Sequence, residues 1–285
     1  MRLRRKIAAG AVTALVGALA LTLTFGATRS FAAEEKAAAA PAEQPNPPLQ
    51  SWSFSGPFGK YDRAQLQRGY QVYREVCSNC HSMRLVAFRD LAAPGGPAFS
   101  EEQVKALAAT FTVKDGPNQT GEMFERPGRP SDYFPSPFPN PEAAAAALGA
   151  APPDMSLLAK ARDFERGFPL FLVDAVTQYQ EEGVDYIDAL LNGYTKADDP
   201  NFNEWFPGHH IAMPPPLSDG AVEYTDGAPK TLQQYSKDVS AFLMWAAEPK
   251  LEARKSLGFA VFLYLIAFAV LLYLVKKRIW AKIPH

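Results

Sequence analysis

The sequence predicts a mainly α-helical domain with long loop insertions and one C-terminal transmembrane helix. Three observations predict it. Two segments, 63–76 and 231–247, repeat their apolar residues at helical spacing and frame the chain between them. Leu257 to Val275 is a run of 19 residues without a charge or a proline, about the length that spans a bilayer core as a helix. The chain holds 25 prolines, six of them between Arg126 and Pro141, and proline favours loops over regular structure.

Residues 1–32 read as a secretory signal peptide. Arg2 to Lys6 form a basic n-region, Ile7 to Phe25 an apolar h-region, and Ser30-Phe31-Ala32 a cleavage site of small residues. An uncleaved N-terminal anchor is the rival reading. Either one exports the next segment to an oxidising compartment. Residues 33–50 are rich in Ala and Pro and read as a flexible leader. Trp52, Phe54 and Phe58 are expected to pack onto the adjoining domain.

A helix starts near Arg63, with Asp62 as its N-cap. Leu66, Tyr70, Tyr73 and Val76 share its apolar face. Gly69 falls inside it, where glycine costs stability relative to alanine, so close approach of another helix is expected there. This helix delivers Cys77-Ser78-Asn79-Cys80-His81. Two thiols three apart and a histidine directly after them form the C-x-x-C-H signature of covalent c-type haem attachment. Residues three apart on a helical turn share a face, so Cys77 and Cys80 both reach one edge of a haem, and His81 offers an imidazole nitrogen to the iron. Three other uses are weaker. A zinc site needs about four ligands, and Cys77 and Cys80 are the chain's two cysteines. A thiol redox pair calls for a βαβ context. A bridge between the two would be purely structural.

Residues 84–125 read as mixed, with a helix at Ser100 to Ala109 opened by a capping box of Ser100 and Gln103. The Pro-rich run from Arg126 to Pro141 carries Tyr133, Phe134 and Phe138. It reads as an ordered loop with its aromatic rings against the haem or the core. Residues 142–150 form an Ala-rich helix. Asp154 caps a helix expected to run to Arg162, and 171–179 and 184–191 are helical.

A haem that shuttles electrons without binding small molecules needs a sixth ligand, and methionine raises its reduction potential relative to a second histidine. Met213 stands in a loop stiffened by Pro214, Pro215 and Pro216. His209 and His210 are rivals just upstream, and Met123, Met155 and Met244 remain possible. Glu223 to Gly227 form an acidic turn. The helix from Thr231 to Ala247 then puts Leu232, Tyr235, Val239, Phe242 and Ala246 on one face, the partner for the helix that carries Gly69. Crossed first and last helices around a haem are the framework of a cytochrome c-like haem domain. The expected division is 51–250 for this domain, 257–275 for the membrane anchor and 276–285 for the tail. Lys276, Lys277 and Arg278 come directly after the apolar run, which matches a cytoplasmic end.

Formal net charge is −1, but five basic groups lie in the first 32 residues and four after residue 275, neither stretch holding an acid. The exported middle therefore holds 20 basic against 30 acidic residues, a balance that suits a basic protein partner and electrostatic steering. Glu181, Glu182, Asp185, Asp198 and Asp199 are the expected docking carboxylates. No nucleic-acid partner is expected.

Several segments resemble the cytochrome c1 family: Arg68-Gly69-Tyr70-Gln71-Val72-Tyr73 before Cys77, Pro127 to Pro135, Pro139 to Ala143, Pro152-Pro153-Asp154, and Trp245-Ala246-Ala247-Glu248-Pro249. The resemblance runs from about Ser51 to the C-terminus. It implies one covalent haem c on Cys77 and Cys80, His81 and Met213 as axial ligands of the iron, and Arg162 beside a haem propionate, where a guanidinium suits a carboxylate. It further implies an electron carrier, non-catalytic by itself, within a quinol–cytochrome c reductase. Its partners would be cytochrome b, a Rieske iron–sulfur protein, a soluble periplasmic cytochrome c and membrane lipid. The haem domain would face the periplasm on the inner membrane. Relatives often place asparagines before the glycine that leads to Pro152, whereas this chain has Ala146-Ala147-Leu148-Gly149. Two other readings stay open: a membrane-anchored haem enzyme or gas sensor with an open sixth position, and a haem-free thiol oxidoreductase.

Overall fold

The computed structural model describes residues 46–162, 164, 166–177 and 179–281. The expected signal peptide and most of the leader lie outside them. Eight α-helices occur among the described residues: α1 (Arg63–Glu75), α2 (Glu101–Ala108), α3 (Pro141–Leu148), α4 (Leu158–Ala161), α5 (Leu170–Thr177), α6 (Glu182–Asn192), α7 (Leu232–Ala247) and α8 (Leu251–Trp280). Strands β1 (Thr112–Asp115) and β2 (Phe124–Pro127) pair antiparallel, Thr112 opposite Pro127 and Asp115 opposite Phe124. The chain is thus mainly α, as the sequence predicts; the small hairpin is an addition to that expectation.

Two of the caps read from the sequence form, and the structure adds a third at Thr231. Asp62 accepts from the backbone N–H groups of Ala64 and Gln65 at the start of α1, Ser100 and Gln103 close a reciprocal box on α2, and Thr231 accepts from Gln234 N on α7. Each satisfies donors that the first helical turn leaves unpaired. The helix expected from Asp154 to Arg162 is a correction. Asp154 turns its carboxylate to other donors, and only the single turn Leu158–Ala161 is helical.

The core lies where α1 crosses α7. A Cβ built on Gly69 would sit 2.1 Å from the carbonyl oxygen of Asp238 and 2.6 Å from Phe242 Cβ. The bare backbone is therefore what lets the two helices meet. Arg68, one residue before it, donates from Nε to Asp238 at 2.8 Å and from Nη1 to Asp226 at 2.8 Å. Tyr70 and Tyr73 pack on Phe242, and Phe242 on Trp245, at centroid distances of 5.4–5.9 Å. On the far side, α6 meets α7 through Asp188, which accepts from the Ser236 hydroxyl at 2.8 Å.

The Pro-rich run is ordered by backbone pairing. Phe88 N–H donates to Asp132 O, Arg89 N–H to Pro130 O and Phe134 N–H to Val86 O. Phe134 is buried among Tyr70, Tyr73, Phe88 and Phe111, whereas Tyr133 stays exposed. Arg126 holds the loop from inside: its guanidinium grips the Asp132 carboxylate with two bonds, 2.6 and 2.9 Å, and also pairs with Asp115.

At the other end, Trp52 and Phe54 are buried and stacked at 5.4 Å. Phe58 is exposed and meets the ring of Phe259 on α8 edge-on at 5.3 Å. Even Gln50, the last residue of the expected leader, is fixed, its N–H donating to Asp185 at 3.1 Å.

These contacts make two outcomes testable. Gly69→Ala gains about 1 kcal/mol of helix propensity, but the new methyl meets a backbone carbonyl that cannot turn aside, and overpacking costs about 1–3 kcal/mol. Thermal unfolding of the variant is expected at a lower midpoint than the parent, while Gly258→Ala in α8, with nothing within 4 Å of its Cβ position, does not lower the midpoint. The Arg126 hydrogen bonds hold the Asp132 carboxyl down to about 2. Because this folded value lies below the unfolded one of about 3.9, the contribution is present at neutral pH and disappears as pH falls toward 2. Asp132→Asn is expected to unfold more readily in urea at neutral pH, the gap from the parent closing as the solution is acidified.

Candidate haem site

Helix α1 ends at Val76, and a single 3-10 turn (Cys77–Asn79) comes at once after it. Cys80 N–H and His81 N–H both donate to the Cys77 carbonyl, at 3.1 and 2.9 Å. Cys80 follows as the C-cap of this turn, three residues after Cys77. Side chains of the motif close the end of α1. Ser78 Oγ donates to Arg74 O at 2.7 Å, and Asn79 Nδ2 to Glu75 O and Val76 O at 3.2 Å. The residues between the cysteines thus occupy carbonyls that a helix end leaves free.

The two thiols are not joined to each other. Cys77 is buried, and burial pushes its thiol up to about 12. Such a thiol is unlike the low-pKa nucleophile of a disulfide-exchange site.

His81 is buried, and its Nδ1 lies 2.9 Å from the Pro153 carbonyl oxygen. A carbonyl only accepts, so Nδ1 carries the proton and Nε2 keeps its lone pair. Burial lowers the imidazole pKa, against the opposing pull of the Pro153 carbonyl and Asp154, which favours the neutral ligand form. A metal-binding histidine is oriented in this way, by the bond its other nitrogen makes.

The Pro152-Pro153-Asp154 segment is zipped to the residues after His81. Asp154 accepts from Ser82 Oγ at 2.7 Å, Arg84 N at 2.9 Å and Ser156 N at 2.9 Å. Met155 N–H donates to Ser82 O at 2.8 Å, and Leu85 N–H to Ser156 Oγ at 3.0 Å. Sequence reasoning reads Asp154 only as a helix cap and gives Pro153 no role. The acceptor at Pro153 is main-chain, so no side-chain pattern announces it.

Met213 lies in the loop after α6, half-buried against the same hydrophobic cluster that contains Cys77 and Met155. Tyr194 fixes its backbone, donating from the hydroxyl to Met213 O at 2.9 Å. Asn201 pairs with Ile211 through two bonds of 2.9 Å, which closes the loop just before it. The rival ligands are turned outward: His209 and His210 are both exposed, the first stacked on Phe202 at 5.6 Å. Among the other methionines, Met123 is exposed, while Met155 and Met244 are buried in the core.

Arg162 ends α4 with an exposed side chain. Its neighbour is Tyr186 on α6, whose phenol is raised by burial and lowered by this guanidinium. The two helices touch at Gly183, where a Cβ would meet Ala159 O at 2.1 Å and Arg162 O at 2.4 Å.

The expected docking carboxylates need correction. Asp185 is fully buried and accepts from Trp52 Nε1 at 2.7 Å, from Gln50 N and from the Tyr179 hydroxyl. Burial raises its pKa despite those bonds. Glu181 is also buried and Glu182 half-buried. These three stand at the start of α6, and of the expected set only Asp198 is fully exposed, with Asp199 beside it half-buried.

The donor set fits a c-type haem: two unpaired thiols on one turn, an imidazole with Nε2 free, and a thioether on a braced loop. With one apolar helix long enough to cross a membrane among the described residues, fold and site define the class of membrane-anchored c-type cytochromes. Comparison with known proteins narrows this. A model of the Cytochrome C1 family matches residues 52–283. A cytochrome b/c1 of Bradyrhizobium diazoefficiens is 59% identical over 82% of the chain, which spans only 36% of that relative's length. A cytochrome c1 of Blastochloris viridis is 46% identical over 92% of the chain and 97% of the relative. A potato protein described as cytochrome c1-2, heme protein, mitochondrial, is 46% identical over 79% of the chain and 81% of its own length. The chain belongs to the cytochrome c1 family, a family of haem-containing electron carriers.

Tyr194→Phe removes the donor to the Met213 carbonyl. Loss of one such bond costs about 1 kcal/mol. Hydrogen exchange is expected to quicken in residues 211–217 and stay unchanged in α1.

Proposed function

We propose that this chain is the one-electron carrier of a quinol–cytochrome c reductase, taking electrons from a Rieske iron–sulfur subunit and passing them to a soluble periplasmic cytochrome c. The observation that supports it most directly is the state of His81, whose Nδ1 is taken by Pro153 and whose Nε2 is left as a ligand. Cys77 and Cys80 hold the haem through thioethers, His81 and Met213 fill its two axial positions, and Arg162 offers charge to a propionate. When bound, the haem supplies reversible one-electron chemistry at iron, its potential raised by a methionine sulfur. The chain's own residues keep both axial positions closed, so that small molecules do not compete. No bond of a substrate is made or broken by this chain.

In this reading, residues 1–32 are removed on export, 33–50 are a leader, 51–250 stand in the periplasm, 257–275 cross the inner membrane beside cytochrome b and membrane lipid, and 276–285 end in the cytoplasm. The name of the Bradyrhizobium relative, cytochrome b/c1, supports cytochrome b as the neighbour. Asp198 and Asp199 are the acidic groups left to steer a basic acceptor.

The test is a reduced-minus-oxidised optical spectrum of the purified membrane protein, taken before and after acid–acetone extraction and again under carbon monoxide. Haem that resists extraction and a reduced spectrum unmoved by carbon monoxide are expected. Met213→Ala is expected to keep the covalent haem and gain a carbon monoxide shift. Extractable haem in the parent would remove the covalent assignment. A carbon monoxide shift in the parent would replace the carrier with an enzyme or sensor whose sixth position is open.

A further inference from the structure

Helix α5 is amphipathic the wrong way round for a helix facing water. Its one charged residue, Asp174, is held in an ion pair with Arg166, and the two side chains are only 13% and 15% exposed. The Thr177 hydroxyl bonds back to Val173 O. Leu170, Leu172 and Val173 are 40%, 52% and 48% exposed, and Phe168 just before them is 81% exposed. A surface helix of a soluble domain shows its charges and hides its leucines.

The position of α5 explains the inversion. The charged residues in the first turns of α8 end at Lys255, and the uncharged run begins at Leu257, so the headgroup level of a bilayer falls between them. Two loops of the domain touch α8 at that level. Lys255 Nζ donates to the carbonyls of Phe54 and Gly56, and the exposed ring of Phe58, two residues on, packs on Phe259 inside the apolar run. Arg254 donates to Gln180 Oε1 at 3.1 Å. Gln180 lies three residues beyond α5, and the turn between them is fastened by Tyr179 N–H donating to Asp174 O at 3.1 Å. The C-terminal end of α5 is therefore tethered, through Gln180, to the part of α8 where the anchor meets the headgroups.

We infer that α5 is a second membrane contact, an interfacial helix whose apolar side lies in the boundary between headgroups and acyl chains. The occupant of this face is lipid. Helices of this kind bury their apolar side about 5–10 Å into that boundary. Together with Phe58, α5 gives the head a lateral footing on the bilayer beside the single crossing of α8. The inference rests on α8 as a membrane span and goes beyond the electron-carrier reading.

The experiment uses the full-length haem-loaded chain in vesicles of phosphatidylcholine and phosphatidylglycerol. A nitroxide is attached at Leu172→Cys, at Leu265→Cys in α8 and at Glu142→Cys on exposed α3, and the signal of the unsubstituted chain is subtracted. Power saturation compares collisions with oxygen, which concentrates in lipid, and with a water-soluble nickel chelate. Position 172 is expected to favour oxygen over nickel several-fold relative to position 142, at a shallower depth than 265. A label at 172 that behaves like 142 would overturn the inference. So would a label shielded from both reagents, in the chain alone or only when the other subunits of the complex are present, because a polypeptide would then cover the face. An aqueous label at 265 would show instead that the anchor reading had failed.

Discussion

The structure depends on one close approach, the crossing of α1 over α7 at Gly69. A carbonyl at van der Waals distance from a helix backbone leaves no room for any side chain, so the crossing point is fixed to a single residue. Arg68 then locks the rotation by gripping Asp238. Asp238 is fully buried, and removing one partner of such a pair costs far more than the pair itself contributes. The crossing sets where α1 ends, hence where Cys77 is presented, and where α7 ends, hence where α8 departs. Site and anchor are placed by the same contact.

From that point the site is assembled by main-chain bonds. His81 owes its tautomer to the Pro153 carbonyl, and Pro153 is held in place by Asp154 and Ser156 reaching residues 82–85. Met213 is braced by Tyr194 through its own carbonyl. Side chains that reach an iron need their neighbours to stay still, and backbone acceptors do this without adding a competing ligand.

The joint between head and anchor is held by several polar contacts. Arg63 pairs with Glu252 at 2.8 Å, Lys160 with Glu248 at 2.8 Å, and the Tyr61 hydroxyl donates to Glu248 O at 3.1 Å. These contacts tie the starts of α1 and α8 together across nearly 190 residues of sequence. These bonds fix how α8 departs from the haem domain.

What the sequence determined was local. The caps at Asp62 and Ser100, the apolar faces of α1 and α7, the membrane-length run and the C-x-x-C-H motif all depend on residues within a few positions of one another. Gly69 was legible as a close approach because a glycine inside a helix demands a reason. The tertiary structure alone decided what depends on distant partners. It buried Asp185 and Glu181, which composition had assigned to a docking surface, because Trp52, Gln50 and Tyr179 arrive from elsewhere to receive the Asp185 carboxylate. It cut the helix after Asp154 to one turn because that carboxylate found Ser82 and Arg84 instead. It paired β1 with β2, and it chose Pro153 to orient His81. Each outcome turns on a hydrogen bond between segments far apart in the chain, and no spacing within a segment encodes which of several donors will reach an acceptor first.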